Sequence, residues 1–168
     1  MASETDLLMA LFAASSGTSE PRDDQMGDPG RDWGQTPGAA GWPHFLSHLA
    51  ARTDAETAAL LLEPPTGPER HWRHGPALPL RPERDRMRSG RVYSQDDLPG
   101  LYRRGLYLRA LRTASGGWGR ATLVLHRRHT DFRAMDGVQL SALLPYLGPA
   151  LATWQRLDRA RRQAALDR

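Results

Sequence analysis

Apolar residues near the start of the chain recur at helical spacing. They are Leu7, Leu8, Leu11 and Phe12. This spacing predicts a helix over residues 4–14, within a first unit of residues 1–14. Residues 15–41 then contain six glycines, three prolines and many small polar side chains. Such a segment buries too little apolar surface to offset its ordering entropy, so we expect it to be disordered.

The regular pattern resumes at Trp42, where the largest unit, residues 42–168, begins. Its first segment, WPHFLSHLAART, has apolar residues on one face and a proline suited to a first helical turn, which predicts an amphipathic helix. Residues 55–63 are short, apolar and followed by two prolines, so we predict a buried strand.

The next elements are predicted to be short. Residues 69–74 and 91–93 have the character of brief strands, and residues 95–104 that of a short helix with Asp96 and Asp97 near its positive end. Two longer extended runs follow at residues 106–114 and 118–127, joined by a segment with Gly116 and Gly117. A glycine-rich link between two such runs predicts an antiparallel hairpin.

The last part of the chain has a helical pattern from Phe132 to about residue 165. Asp136 is placed to assist the helix start, and apolar residues then recur three and four positions apart. Pro145 and Pro149 each remove a backbone donor, so we predict a kink or break near residues 144–149. Antiparallel strands with helices to one side make the predicted fold class α+β.

Composition excludes some chemistry. The 168 residues suit one domain with tails, and the absence of cysteine excludes disulfides and thiolate metal sites. The basic residues are all arginine, but the net charge of +4 is modest and the arginines are scattered, so we do not expect direct nucleic-acid binding. No apolar run approaches the length of a membrane span and the acidic start is unlike a secretory signal, so we expect a cytoplasmic protein.

Three stretches together resemble the pattern of a known family. They are RVYSQDDLP at residues 91–99, the hairpin region at 105–127, and DFRAMDGVQLSALLPYLGPAL at 131–151. They look like the N-terminal sensory domain of LuxR-type helix-turn-helix regulators, a PAS- or GAF-like module. The matching positions of the last stretch are Asp131, Phe132, Asp136, Leu140, Leu143, Pro145, Leu147, Ala150 and Leu151.

The resemblance covers roughly residues 42–166 and implies an antiparallel sheet flanked by helices, with a long C-terminal helix. It also implies a regulatory role in transcription: a sensor that binds a small molecule or a protein partner and relays the signal through that helix. No helix-turn-helix pattern occurs in the 168 residues, so DNA binding is not carried over to this chain.

Aromatic residues on or beside the predicted sheet are the candidates for a ligand pocket, since the sheet region walls a pocket in folds of this kind. They are Trp72, Tyr93, Tyr102, Tyr107 and Trp118. The same side chains can equally belong to an ordinary core. No cofactor is predicted.

The terminal helix is the second candidate site. Its apolar seam continues beyond what a small sheet needs to cover, which predicts an exposed stripe for a partner and most simply a homodimer. The predicted interface residues are Leu147, Leu151, Trp154 and Leu157. The alternative is that the helix packs only on its own sheet and frays at its end.

The histidines form three close pairs: His44 and His48, His71 and His74, His126 and His129. The first pair lies four residues apart on a predicted helix and could share a metal ion, but surface roles are favoured and no metal site is predicted. No nucleophile elbow or phosphate loop occurs, so we do not expect an enzyme. The alternatives are a standalone adaptor without a ligand and, last, a small enzyme using Asp96, Asp97 and the histidines.

Overall fold

The computed structural model describes residues 3–16, 41–98, 100–101 and 103–168. The elements are α1 (Glu4–Ser16), α2 (Gly41–Thr53), β1 (Thr57–Glu63), β2 (Arg70–His74), a 3₁₀ turn (Arg84–Arg86), β3 (Val92–Ser94), β4 (Leu106–Arg112), β5 (Arg120–Arg128) and α3 (Ala134–Leu166). The predicted α+β class, with an antiparallel sheet and a long C-terminal helix, is confirmed.

The five strands form one antiparallel sheet in the order β2-β1-β5-β4-β3. Leu60 of β1 lies opposite Trp72 of β2 on one side and Leu123 of β5 on the other. Because side chains alternate between the two faces of a strand, these three residues share one face. The predicted hairpin is confirmed as β4 and β5, and its turn is closed by two backbone hydrogen bonds between Gly116 and Gly119.

Among the described residues, α2 and α3 pack on one face of the sheet, which we call the helix face, and α1 packs against these two helices. Three tryptophans meet there, Trp42 from α2, Trp72 from β2 and Trp154 from α3. Their ring centroids are 5.7 Å apart between Trp42 and Trp72 and 4.9 Å apart between Trp72 and Trp154. Edge-on and tilted ring contacts stabilise a core beyond the area they bury, so this cluster holds α2 and α3 on the sheet.

The opposite face, which we call the loop face, is covered by connecting segments. The covering residues are Leu78, Leu80, Met87, Leu98 and Leu101. The buried guanidinium of Arg112 lies 3.0 Å from the Glu63 carboxylate and donates to the Arg84 carbonyl. A buried charge needs such partners, and these bonds attach the segment around the 3₁₀ turn to the sheet.

Both ends of the segment predicted to be disordered belong to helices. α1 extends to Ser16, and α2 begins at Gly41. The prediction is therefore wrong for residues 15, 16 and 41, and the rest of that segment lies outside the described residues. The hydroxyl of Ser15 donates to the Phe12 carbonyl at 2.7 Å, so a residue typical of loops is satisfied within the last helical turn.

The short helix predicted over residues 95–104 is wrong, because the described part of that segment forms turns and an isolated bridge. The Asp97 carboxylate accepts hydrogen bonds from the backbone N–H of Ser94 at 2.8 Å and from its hydroxyl at 3.1 Å. Local bonds of this kind compete with helix formation. The bond from the Ser94 backbone is also the main cause that lowers the pKa of Asp97.

Of the kink or break predicted near residues 144–149, the break is wrong, because α3 is one continuous helix. Pro145 and Pro149 leave the carbonyls of Ser141 and Pro145 without their usual backbone donors. These three residues are exposed, so water can supply the missing hydrogen bonds. The predicted role of Asp136 is confirmed, since its buried carboxylate accepts the Arg133 backbone N–H at 2.7 Å at the helix start.

Candidate functional site

α3 has two apolar stripes on opposite sides, and the sequence predicts only one of them. The inner stripe faces the sheet and α1. It consists of Leu140, Leu143, Leu147, Ala150, Leu151 and Trp154, all buried. The outer stripe faces solvent and recurs at the same spacing of three and four residues. It consists of Met135, Val138, Ala142, Tyr146, Pro149, Thr153, Leu157, Ala160 and Ala164.

Three of the four predicted interface residues are not available to a partner. Leu147 and Leu151 are fully buried within their own chain, and only 2% of Trp154 is exposed. The physical reason is the tryptophan cluster, which draws this side of α3 onto the sheet. Leu157 is 37% exposed and is the one predicted residue that belongs to the outer stripe.

α1 extends the apolar surface sideways from the outer stripe. A groove of about 210 Å³ lies between the two helices, where Leu8 of α1 lines it with Val138 and Tyr146 of α3. Glu4 of α1 and Arg52 of α2 also line the groove. Further along, the guanidinium of Arg161 donates to the Ser16 carbonyl at 3.1 Å, so the two helices run in the same direction. We call the outer stripe together with Leu8, Met9 and Phe12 the outer face.

Most of the large apolar side chains that are exposed in the described residues lie on the outer face. Among the described residues, every large hydrophobic side chain that is exposed to solvent belongs to α1 or α3, and none belongs to the sheet. Those on the outer face are Met9, Phe12, Met135, Val138, Tyr146 and Leu157, and Leu166 lies off it at the end of α3. No charged residue occurs between Gly137 and Gln155, nor from Leu7 to Ser16. Depletion of charge is typical of the centre of a protein interface.

A shared carboxylate marks the point where α3 leaves the body of the domain. Asp158 accepts a hydrogen bond from Arg70 of the edge strand β2 at 2.9 Å, and it also pairs with Arg162 one turn further along α3. The Arg70 guanidinium lies 5.0 Å from the Trp154 ring centroid, which adds a cation–π contact. Residues 159–168 are all exposed, and the hydrogen bond from the Arg161 side chain to Ser16 links this end of α3 to α1.

The predicted pocket residues do not come together. Trp72 lies in the core of the helix face, whereas Tyr93 lies on the loop face, where its hydroxyl accepts the Arg88 backbone N–H at 2.7 Å. Tyr107 and Trp118 are half-buried and pack against the helix-face core. Tyr102 lies outside the described residues. No common pocket therefore forms from the four candidates that the structure describes.

Two polar side chains of the loop face are buried; the sequence analysis named His126 as one of a histidine pair and did not name Thr122. His126 and Thr122 of β5 are buried on the same side of the strand as Val124, and neither side chain has a hydrogen-bond partner among the described residues. Burial is the main cause that lowers the pKa of His126, so the imidazole is neutral and offers one donor and one acceptor. Only the strand register could have revealed this placement.

The histidines of β2 and α2 lie apart from His126 and Thr122. His71 and His74 are three residues apart on β2 and therefore point to opposite faces, with His71 lying 3.2 Å from the Glu69 carboxylate. His44 and His48 are adjacent on α2, with their Nε2 atoms 3.2 Å apart. Within the described ranges, no group of three or more histidine, aspartate and glutamate side chains is arranged to hold a metal ion.

A scan against protein-family models found no match for the chain, and searches against curated proteins and against solved structures found none either. In the part of the chain that the structure describes, no helix is both long enough and apolar enough to cross a membrane.

Proposed function

We propose that this chain is a regulatory domain that works as a homodimer, joined through the outer face, and that it transmits its signal through α3. The observation that carries the proposal is the uncharged outer stripe of α3, which faces solvent although it repeats at the spacing of a helix–helix seam. A two-fold dimer, which pairs the same surface of each chain, is the commonest way to cover such a stripe.

The area of the outer face suits a second copy of the chain. Phe12 is 51% exposed and Val138 is 59% exposed, with Met9, Met135 and Tyr146 in the same range. Five side chains of this size, each about half exposed, present on the order of 500 Å² of apolar surface. A stable interface buries about 800 Å² per partner. The outer stripe beyond Tyr146 extends the surface toward that size.

The regulatory part of the proposal rests on the resemblance to the sensory domains of LuxR-type regulators, in which the corresponding helix leads toward the DNA-binding domain. The way α3 is held is consistent with a relay. Its inner stripe packs on the sheet, Asp158 pairs with Arg70 of β2, and the exposed residues beyond are linked to α1 through the Arg161 side chain. A change in the packing of α3 would therefore move its exposed end. We place this activity in transcriptional regulation in the cytoplasm.

The test is the mass of the purified chain in solution. We expect light scattering to give twice 18.7 kDa for the native chain and 18.7 kDa for Tyr146→Glu, because a charge in the stripe is unpaired in the dimer. Ser141→Glu is the matched control, since Ser141 is equally exposed on α3 but lies off the stripe. A monomeric native chain, or a Tyr146→Glu variant that stays dimeric, would contradict the proposal; a monomer that captures a purified heterologous partner would favour the adaptor alternative.

A second candidate function is a small-molecule sensor, and the unpartnered His126 and Thr122 favour it. Buried polar groups are nearly always hydrogen-bonded, so the loop face has unused capacity for a polar ligand. Native mass spectrometry of freshly purified protein should then show a retained compound that is lost in His126→Leu. The absence of any retained compound, together with no ligand that raises the melting temperature, would count against a sensor.

A further inference from the structure

His44 and His48 have the geometry of two ligands to one metal ion. They lie one turn apart on α2, and their Nε2 atoms are separated by 3.2 Å, with the ring planes at 77° to each other. A zinc–imidazole bond is about 2.0–2.1 Å long, so an ion bonded to both atoms at this separation would have an N–metal–N angle of about 100°. That angle is close to the tetrahedral value, so the separation of the two Nε2 atoms suits a shared ion.

We propose that His44 and His48 form a two-histidine binding site for a divalent transition-metal ion on the outer side of α2. His44 is exposed and His48 is half-buried, so an ion can reach the pair from solvent. Imidazole suits Cu²⁺, Zn²⁺ and Ni²⁺, whereas the oxygen-preferring Mg²⁺ and Ca²⁺ are excluded by the ligand type. The described residues supply no third ligand, so water completes the coordination and the ion exchanges readily.

The position of the site determines what binding would do. α2 packs against α1 on one side and against β1 and β2 on the other, so an ion that joins two of its turns stabilises the helix on which the N-terminal part of the domain rests. His48 also lies near enough to Asp6 of α1 to lower the pKa of that carboxyl, after the larger effect of the Ser3 hydrogen bonds. A carboxylate therefore lies within electrostatic range of the added positive charge of the ion.

Calorimetric titration of the full chain with Cu²⁺ and with Zn²⁺ tests the proposal. We expect one ion per chain, with tighter binding of Cu²⁺. Either His44→Ala or His48→Ala should weaken binding on the order of tenfold or more, because the second imidazole acts at a high effective concentration. The double variant His71→Ala/His74→Ala is the matched control and should bind as the native chain does, since those two side chains point to opposite faces of a strand.

Two further readouts separate chelation from loose association. The ion should raise the melting temperature of the native chain but not of His48→Ala, and lowering the pH should abolish both effects because imidazole must be deprotonated to bind a metal. Both histidines are on the outer side of α2, so circular dichroism should show that the variants keep the native helix content. Equal affinities of the native chain and the single variants, or no saturable binding by the native chain, would overturn the proposal.

Discussion

The two stripes of α3 share the same spacing but differ in their side chains and surroundings. The inner stripe is made largely of leucine and ends at Trp154, which contacts the rings of Trp42 and Trp72. The outer stripe mixes alanine, proline and threonine with a few larger residues and carries no charge. The inner stripe therefore holds the monomer together, whereas the smaller and more polar side chains of the outer stripe are compatible with exposure to water. The spacing of apolar residues identifies each stripe, and the size of its side chains determines whether it packs into the core.

The largest expected effect is on the inner stripe. Trp154→Ala removes the ring that joins α3 to the tryptophan cluster and leaves a cavity, so we expect the free energy of unfolding to fall by about 3–5 kcal/mol. Urea denaturation followed by tryptophan fluorescence and circular dichroism measures it. A loss within the range of a surface substitution would show that the inner stripe does not determine monomer stability.

A smaller effect, an increase in the free energy of unfolding, is expected at Pro145, which lies on α3 between the two stripes. Pro145→Ala restores a backbone donor for the Ser141 carbonyl, so the free energy of unfolding should rise by up to about 3 kcal/mol. Ser141→Ala corrects for helix propensity at an equally exposed position. If thermal unfolding shows no gain over that control, solvent already compensates the missing bond in full.

A smaller loss in the free energy of unfolding is expected from a substitution at the start of α3. Asp136→Ala removes the acceptor of the Arg133 backbone N–H, and we expect a loss of about 1 kcal/mol. Asp136→Asn keeps an acceptor oxygen and should retain most of that stability. Equal losses in the two variants would point to the charge of Asp136, rather than its hydrogen bond, as the source of the effect.

The smallest effect on the monomer is expected on the outer stripe. Tyr146→Ser should change the free energy of unfolding by less than about 0.5 kcal/mol when it is measured at a concentration where both proteins are monomeric. The same substitution should weaken dimerisation measured by sedimentation. A large stability loss in the monomer would mean that Tyr146 belongs to the core, and the contrast between the stripes would disappear.

Helical periodicity was enough to predict the inner stripe, because large apolar residues mark it in the sequence. The outer stripe was missed because alanine, proline and threonine are weakly hydrophobic and occur in many exposed helices. Its one visible signal was negative: no charge occurs between Gly137 and Gln155, although one side of that helix faces solvent.

The aromatic pocket could not be predicted for a different reason. Alternation along a strand shows which residues share a face within that strand, but comparing strands requires the register. Trp72 lies opposite Leu60 on the helix face, and Tyr93 lies opposite Ala110 on the loop face. Nothing in the sequence around Trp72 or Tyr93 fixes those pairings. The same lack of register information concealed the burial of His126.

Asp158 gives α3 the mechanical form of a lever with its pivot at the edge of the sheet. The eight residues from 159 to 166 form an arm of about 12 Å at a rise of 1.5 Å per residue, and the Arg161 side chain links this arm to Ser16 of α1. A rotation of about 10° at the pivot would displace the tip by about 2 Å, enough to exchange one side-chain contact for another. Small motions of strand β2, to which Arg70 belongs, would in this way be amplified at a distance from the sheet.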